Sequence, residues 1–192
     1  MKAYCATIYK KLFCKDYINE LLFALYHYEP ATYCHCCRTA KLALQLAHGD
    51  VNANELEVLS EAALLHDIGK LMIDRDVLNK PGKLTPSEYG IIQQHARYGE
   101  AIVRTFGVHE KVAYLIANHH PENNNVHPEN SDPLLEILIK ADNIDAWMCK
   151  RPYKSPFSKQ QVIELLYSKF TDGLSNQKAL HILYQGANFQ AW

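Results

Sequence analysis

Hydrophobic residues recur at steps of three and four along most of this 192-residue sequence. Such spacing places them on one face of an α-helix, as in the segment from Asp16 to Tyr28. The hydrophobic positions of that segment are Ile18, Leu21, Leu22, Leu25 and Tyr26. No segment alternates hydrophobic and polar residues over the length of a β-strand, and no long internal repeat is visible. The pattern therefore predicts an all-α fold.

Capping residues, glycines and prolines mark where these helices begin and end. The run Thr85-Pro86-Ser87-Glu88 is a capping box with proline at the first helical position. Gly69 is expected to let the chain turn after an earlier helix. Three helices are expected to begin at a capping residue: one capped by Thr32 and ending at about 48, one capped by Asn54 and ending at about 65, and one that begins at Pro133 with Ser131 or Asp132 as its cap. Further helices are expected at about 86–94, 95–106, 158–170 and 176–184, and between Gly107 and about 119. Residues 79–84 and 121–132 are expected to be loops.

Composition and charge restrict the class of protein. At 48% hydrophobic residues, with no break in composition, residues 1–192 are expected to form a single domain. A formal net charge of -1 gives no footprint for a DNA or RNA polymer or for an anionic membrane. The first 13 residues contain no apolar run that suits a signal peptide or a membrane span, so a cytoplasmic protein is expected. Cys34, Cys36 and Cys37 are too crowded for a disulfide framework and are expected to be free thiols.

Histidines and aspartates at helix ends are the candidates for chemistry. Five of the ten histidines lie in predicted helices or at their ends, namely His35, His66, His95, His119 and His120. Asp67 directly follows His66, and an adjacent imidazole and carboxylate can serve two cations. Asp142 lies in an otherwise apolar helix, where it either faces solvent or coordinates a cation. Such ligands suit divalent iron, manganese, cobalt, nickel or zinc. The alternative cluster Cys34-His35-Cys36-Cys37 does not have the spacing of structural zinc sites.

Several motifs occur in a characteristic order. They are His66-Asp67-Ile68-Gly69-Lys70, then Leu78-x-Lys80-Pro81-Gly82-x-Leu84-Thr85-x-x-Glu88, then His95-x-x-x-Gly99, then His119-His120. In order and spacing they resemble the HD-GYP family of metal-dependent phosphohydrolases. Three further motifs, His35-x-x-Arg38, Asp142-x-x-Asp145-Ala146 and Arg151-Pro152-Tyr153-Lys154, extend the resemblance over residues 33–157. It implies a single-domain HD-type helical bundle with a buried two-metal site, in which residues 1–32 form an N-terminal helical extension and residues 158–192 form C-terminal helices.

The resemblance also implies roles for individual residues. One metal ion would be held by His35, His66, Asp67 and Asp142, and the other by Asp67, His95, His119 and His120. Asp67 would bridge the two ions, which are commonly iron or manganese in this family. Lys70, Arg151 and Lys154 would contact substrate phosphates, as their charges allow, although solvated surface cations are the alternative. Asp145 follows Asp142 by three residues, so it shares a helix face with it and could hold a water or a substrate group.

The implied activity is hydrolysis of cyclic di-GMP, in which two metal ions activate a bridging hydroxide, with Asp67 and Lys70 as catalytic residues. Two of the departures from the family concern individual residues. The loop 121–128 lacks the Gly-Tyr-Pro element, and Ala31 replaces a glutamate that helps to hold a third metal, so two metals are expected. Because that loop is altered, another cyclic dinucleotide such as cyclic GMP-AMP, or a mononucleotide, stays open as the substrate. A non-catalytic nucleotide-binding protein and a homodimer are also left open.

Overall fold

The computed structural model describes residues 14–120, 132–149, 156–170 and 173–184. All regular elements in these ranges are helical, which confirms the predicted all-α fold. The α-helices are α1 (Asp16–Tyr28), α2 (Pro30–Ala47), α3 (Ala53–Leu65), α4 (Arg75–Leu78), α5 (Pro86–Gln93), α6 (His95–Thr105), α7 (Glu110–Asn118), α8 (Pro133–Met148), α9 (Lys159–Lys169) and α10 (Gly173–Tyr184). A 3-10 helix (Ile68–Met72) joins α3 to α4.

Two helix caps predicted from the sequence, Thr85 and Asp132, occur at these starts. At α5 the Thr85 hydroxyl accepts from the backbone N–H of Glu88, whose carboxylate accepts from the backbone N–H of Thr85. The Asp132 carboxylate accepts from the first backbone N–H groups of α8, and Ser158 caps α9. These side chains satisfy donors that a helix start leaves without intrahelical partners. The local sequence therefore fixes where these helices begin.

Two predicted caps were wrong. The helix α2 starts at Pro30 rather than after Thr32, because proline at the first helical turn has the required φ and lacks only a donor that is unused there. The helix α3 is capped by Asn52, whose side chain accepts from two backbone N–H groups, instead of by Asn54. Glu55 completes that capping box, because its side chain accepts from the backbone N–H of Asn52.

The core is formed where α2 packs against α3 and α8, and α3 packs against α7. Fully buried leucines such as Leu59 in α3, Leu115 in α7 and Leu138 in α8 fill the space between these helices. The helix α6 packs against α7 and against the 3-10 helix. The buried polar side chains include seven of the candidate residues, namely His35, His66, Asp67, His95, His119, Asp142 and Asp145. The packing of these helices therefore gathers the candidate residues in one region.

The helix α1 is held to the same core by apolar and polar contacts. Ile18 and Leu25 are fully buried. Glu61 on α3 is also buried, and its carboxylate accepts hydrogen bonds from the Tyr17 hydroxyl and, at 2.6 Å, from the Lys15 ammonium. A buried carboxylate needs such partners, because its charge is costly without them. The contacts explain why α1 lies against α3.

Other predictions have mixed outcomes. The described cysteines are free, as predicted, and they are Cys14, Cys34, Cys36, Cys37 and Cys149. No helix in the described parts of the chain is long and apolar enough to cross a membrane. Gly69 lies within the 3-10 helix instead of a simple turn. The predicted phosphate contacts Arg151 and Lys154, and residues 121–131 of the altered loop, lie outside the described residues.

Gly69 allows the 3-10 helix to touch the start of α6. A Cβ atom at this position would lie 1.9 Å from the carbonyl oxygen of His95 and 2.4 Å from the backbone nitrogen of Gly99. Both neighbours are backbone atoms, so neither can move without shifting α6. The close approach fixes the distance between the segment that carries Asp67 and the helix that carries His95.

We therefore expect Gly69→Ala to destabilise the metal-free protein by about 3 kcal/mol, because the added methyl overlaps backbone atoms. Urea unfolding in the presence of a chelator measures this free energy. Gly90→Ala is the matched control: Gly90 lies in α5, and a Cβ added there would meet no atom within 4 Å, so alanine should stabilise by about 0.5–1 kcal/mol. Equal stabilities of wild type and Gly69→Ala would contradict the steric argument.

Candidate metal centre

The predicted metal ligands come from five separate segments and meet at one cavity. His35 lies in α2, Asp142 in α8, and the remaining ligands lie at ends of α3, α6 and α7. The cavity has a volume of about 260 Å³. Six of the seven predicted ligands line this cavity, namely His35, Asp67, His95, His119, His120 and Asp142. The seventh, His66, lies behind them, and its Nε2 atom is 3.3 Å from Nε2 of His35.

Two groups of side chains could each hold one metal ion. In the first, the donor atoms of His35, His66 and Asp142 lie within 4.8 Å of one another. The Nε2 atom of His35 is 2.9 Å from Oδ1 of Asp142 and 3.3 Å from Nε2 of His66. In the second group, donor atoms of His95, His119 and His120 satisfy the same limit. Apart from Asp67, these groups contain the same residues as the two ligand sets that the resemblance implies.

Asp67 lies between the two groups. Its Oδ1 atom is 3.2 Å from Nε2 of His95, in the second group. Its Oδ2 atom is 3.6 Å from Nε2 of His66 and 3.7 Å from Nε2 of His35, in the first group. One carboxylate oxygen therefore faces each group, which is the arrangement that a bridging ligand requires.

Three of the histidines are fixed in the same tautomer by the backbone. The Nδ1 atom of each donates to the carbonyl three residues earlier: His66 to Ala63 at 2.9 Å, His95 to Ile92 at 2.6 Å and His119 to Ile116 at 2.7 Å. A carbonyl only accepts, so the proton is on Nδ1 and the lone pair is on Nε2. Burial also lowers the pKa of all three, that of His95 to about 4, so the rings are neutral at pH 7.

The lone pairs of His95 and His119 consequently point at each other. Their Nε2 atoms are 3.1 Å apart, and neither carries a proton to donate. Two nitrogen lone pairs at this distance repel, whereas a shared cation would be attracted to both. The carboxylate of Asp67 faces the same point. The donor set therefore fits a divalent cation that prefers imidazole and carboxylate ligands.

The carboxylates of the centre are held in their ionised form. Burial acts to raise the pKa of Asp67, but the Lys70 ammonium, 2.6 Å away, and the nearby histidines lower it well below its usual value. Burial acts on Asp142 in the same direction, and the hydrogen bond from His35 lowers its pKa. His35 itself is desolvated, yet its bonds to Asp142 and Asp145 raise its pKa to about 9. Asp67 and Asp142 are thus available as anionic ligands for a cation.

Asp145 lies behind His35 and does not line the cavity. It is fully buried, and its carboxylate accepts from Nδ1 of His35 at 2.7 Å and from Nε and a terminal nitrogen of Arg38 at 2.7 and 2.9 Å. This geometry differs from the predicted contact with substrate or water. A carboxylate on the distal nitrogen of a histidine orients the ring and increases its basicity as a ligand.

A buried thiol borders the centre. The Sγ atom of Cys36 lies within 4.8 Å of donor atoms of His66 and Asp67. Burial, with the charge of Asp67, raises the pKa of Cys36 well above its usual value, so it stays a thiol. Neither Cys34 nor Cys37 belongs to a candidate metal group among the described residues, which argues against the alternative cysteine-rich site.

Four further side chains with functional potential line the cavity and were missed from the sequence. They are Tyr89, Gln93, Asn143 and Lys169. Asn143 directly follows Asp142, so its place beside the predicted ligand was a usable signal. Lys169 lies at the end of α9, far from any motif, and only the tertiary structure brings it to the cavity. Lys70, which was predicted, also lines the cavity.

Comparison with known proteins identifies similar sequences. The chain is 32% identical over 164 residues to a 3′3′-cGAMP-specific phosphodiesterase of Vibrio cholerae, covering 81% of this chain and 31% of that protein. It is 33% identical to the cyclic di-GMP phosphodiesterase response regulator RpfG of Xanthomonas campestris, covering 62% of this chain and 34% of that protein. The chain therefore spans about a third of the length of these curated relatives.

A solved structure has the same fold as this chain, and a family model identifies its family. The HD domain of the phosphodiesterase PgpH of L. monocytogenes, solved with cyclic di-AMP, superimposes with a TM-score of 0.67 at 18% identity. The match covers 90% of this chain and 98% of that one, and it confirms the predicted HD-type helical bundle. The family model of the HD domain matches residues 32–147, which is more than half of the chain. The chain belongs to the HD domain family.

Proposed function

We propose that this chain is a metal-dependent phosphodiesterase that hydrolyses a cyclic dinucleotide. The observation that carries the proposal is the position of Asp67, with one carboxylate oxygen facing each of two histidine-containing groups. HD phosphohydrolases depend on metal ions. The relatives from Vibrio cholerae and Xanthomonas campestris, whose names specify cyclic dinucleotide phosphodiesterases, support the substrate class.

The proposed centre holds two divalent ions, with iron or manganese preferred and cobalt, nickel or zinc as alternatives. His35, His66, Asp67 and Asp142 are assigned to one ion, and Asp67, His95, His119 and His120 to the other. The ligands are imidazole and carboxylate groups, which suit these metals. When bound, the ions supply Lewis acidity that activates water and offsets charge on the phosphate oxygens.

The protein side chains supply order and charge around this chemistry. The backbone carbonyls that accept from His66, His95 and His119 keep each Nε2 directed into the centre. Asp145, with Arg38, does the same for His35. The Lys70 ammonium is beside Asp67, where it can bind an oxygen of the reacting phosphate. Arg151 and Lys154 are proposed as further phosphate contacts on the basis of the sequence alone.

We propose cyclic di-GMP as the substrate, with 3′3′-cGAMP as the second candidate. The second candidate is favoured by one observation: a relative named as specific for 3′3′-cGAMP aligns with 81% of this chain. The residues proposed as the catalytic core, 33–157, contain nearly all of the HD family match, which covers residues 32–147.

The free thiols of the described residues suit the reducing cytoplasm, which we propose as the compartment.

Metal analysis with a substrate panel tests this function. The protein is purified without chelator, its metal content per chain is measured, and hydrolysis of cyclic di-GMP, 3′3′-cGAMP, cyclic di-AMP and mononucleotides is followed by chromatography. We expect two metal ions per chain and turnover of a cyclic dinucleotide. Fewer than one metal ion and no turnover, even after reconstitution with iron or manganese, would exclude the enzyme. Tight nucleotide binding without turnover would indicate a non-catalytic binding protein.

We expect Asp67→Ala to lose both metal ions and all hydrolysis, because Asp67 is the ligand shared by the two groups. Metal content by mass spectrometry and turnover measure the effect. Asp76→Ala removes an exposed carboxylate a few residues away and should retain metal and activity, so it is the matched control. An Asp67→Ala protein that keeps one ion at full occupancy would contradict the bridging role.

We expect Asp145→Asn to weaken metal binding at the group of His35, His66 and Asp142 by roughly 10–100-fold, as other losses of a carboxylate behind a metal-binding histidine do. An amide is neutral, and its NH2 group cannot accept the hydrogen bond that Nε of Arg38 donates to Oδ1 of Asp145. Competition with a chelator measures each affinity, and the affinity of the second group should change little. Cys149→Ala is the control, since its thiol makes only a weak 3.4 Å contact to the same carboxylate.

A further inference from the structure

Lys169 and Asn143 form a polar pair at the edge of the cavity. Both side chains line the cavity, and the Lys169 ammonium donates to Oδ1 of Asn143 at 2.9 Å. The Nδ2 atom of Asn143 donates to the carbonyl of Ile139 at 2.7 Å, which fixes the orientation of the amide. The oxygen of Asn143 is therefore held toward Lys169. The pair links α8, which carries Asp142, to the last residue of α9.

No carboxylate among the described residues neutralises the charge of Lys169. Two lysines line the cavity within the described ranges, Lys70 and Lys169. Lys70 forms an ion pair with Asp67 at 2.6 Å. No salt bridge joins Lys169 to a carboxylate of the described residues, and its partner is a neutral amide. An ammonium at a cavity that processes phosphates, with two of its three donors unused by Asn143, is a suitable site for an anion.

The size of the cavity bears on which anion this is. A volume of about 260 Å³ lies below the range of roughly 300–1,000 Å³ in which pockets enclose drug-sized ligands. A cyclic dinucleotide is larger than that and carries two phosphates on opposite sides of its ring. One phosphate can reach the groups around Asp67, and the rest of the ring must then extend across the edge. Lys169 is exposed at that edge.

We propose that Lys169, oriented by Asn143, binds the phosphate of a cyclic dinucleotide that is not being cleaved. The proposal rests on the function proposed above and adds a residue outside residues 32–147, which the HD family model matches. A contact to the second phosphate favours cyclic dinucleotides over esters that carry a single phosphate. Lys169 is thus a determinant of substrate class and does not act on the reacting atoms.

Substitution of Lys169 tests this assignment. We expect Lys169→Ala to raise the KM for the cyclic dinucleotide about tenfold, the value of one hydrogen bond from a charged group, with a much smaller change in kcat. The KM for bis(para-nitrophenyl) phosphate, which has one phosphate, should rise far less. Lys169→Arg should recover most of the affinity. Lys159→Ala, which removes an exposed lysine from the start of α9, is the matched control.

Equilibrium binding of a hydrolysis-resistant phosphorothioate analogue of cyclic di-GMP separates this proposal from the proposed function. Weaker binding in Lys169→Ala, with unchanged metal content, supports it. Binding as tight as that of wild type, or an equal rise in KM for the single-phosphate ester, would overturn the Lys169 assignment alone. A wild-type protein with its metals in place that neither binds nor hydrolyses any cyclic dinucleotide would overturn both proposals.

Discussion

The ionised carboxylate of Asp67 is only 2% exposed, and the surrounding structure is arranged to meet its charge. The Lys70 ammonium contacts one oxygen, and imidazole nitrogens of His35, His66 and His95 lie within 3.7 Å of one oxygen or the other. A buried charge is tolerated only when such partners or a cation compensate its desolvation. These partners converge from three segments of the chain, namely α2, residues 66–70 and the start of α6.

This convergence depends on backbone contacts as much as on ligand identity. Asp67 is followed by a 3-10 helix whose Gly69 touches the backbone of His95 and Gly99. The same contact brings His95 within reach of Asp67, and backbone carbonyls one turn earlier fix the rings of His95 and His119. Ligand positions are thus set by helix ends, where carbonyl groups without helical partners are available to orient imidazoles.

Local patterns in the sequence predicted the helices and most of their ends, since spacing and caps act over a few residues. They failed at Thr32 and Asn54, where Pro30 and Asn52 provide better starts nearby. The direction of Asp145 was not predictable, because α8 buries residues on nearly all of its faces and gives no polar side. Lys169 reaches the cavity through contacts between distant helices, which no motif encodes.

The residues proposed to bind metal and the residue proposed to distinguish substrates belong to different parts of the chain. The proposed ligands all lie within the HD family match, at positions that the metal geometry restricts. Lys169 lies in α9, where the nearest constraint is a single hydrogen bond to Asn143. A change in α9 can therefore alter contact with the second phosphate while Asp67 and its partners stay in place. Under the two proposals, this separation would let one kind of metal centre act on different cyclic dinucleotides, because selectivity would be adjusted away from the catalytic geometry.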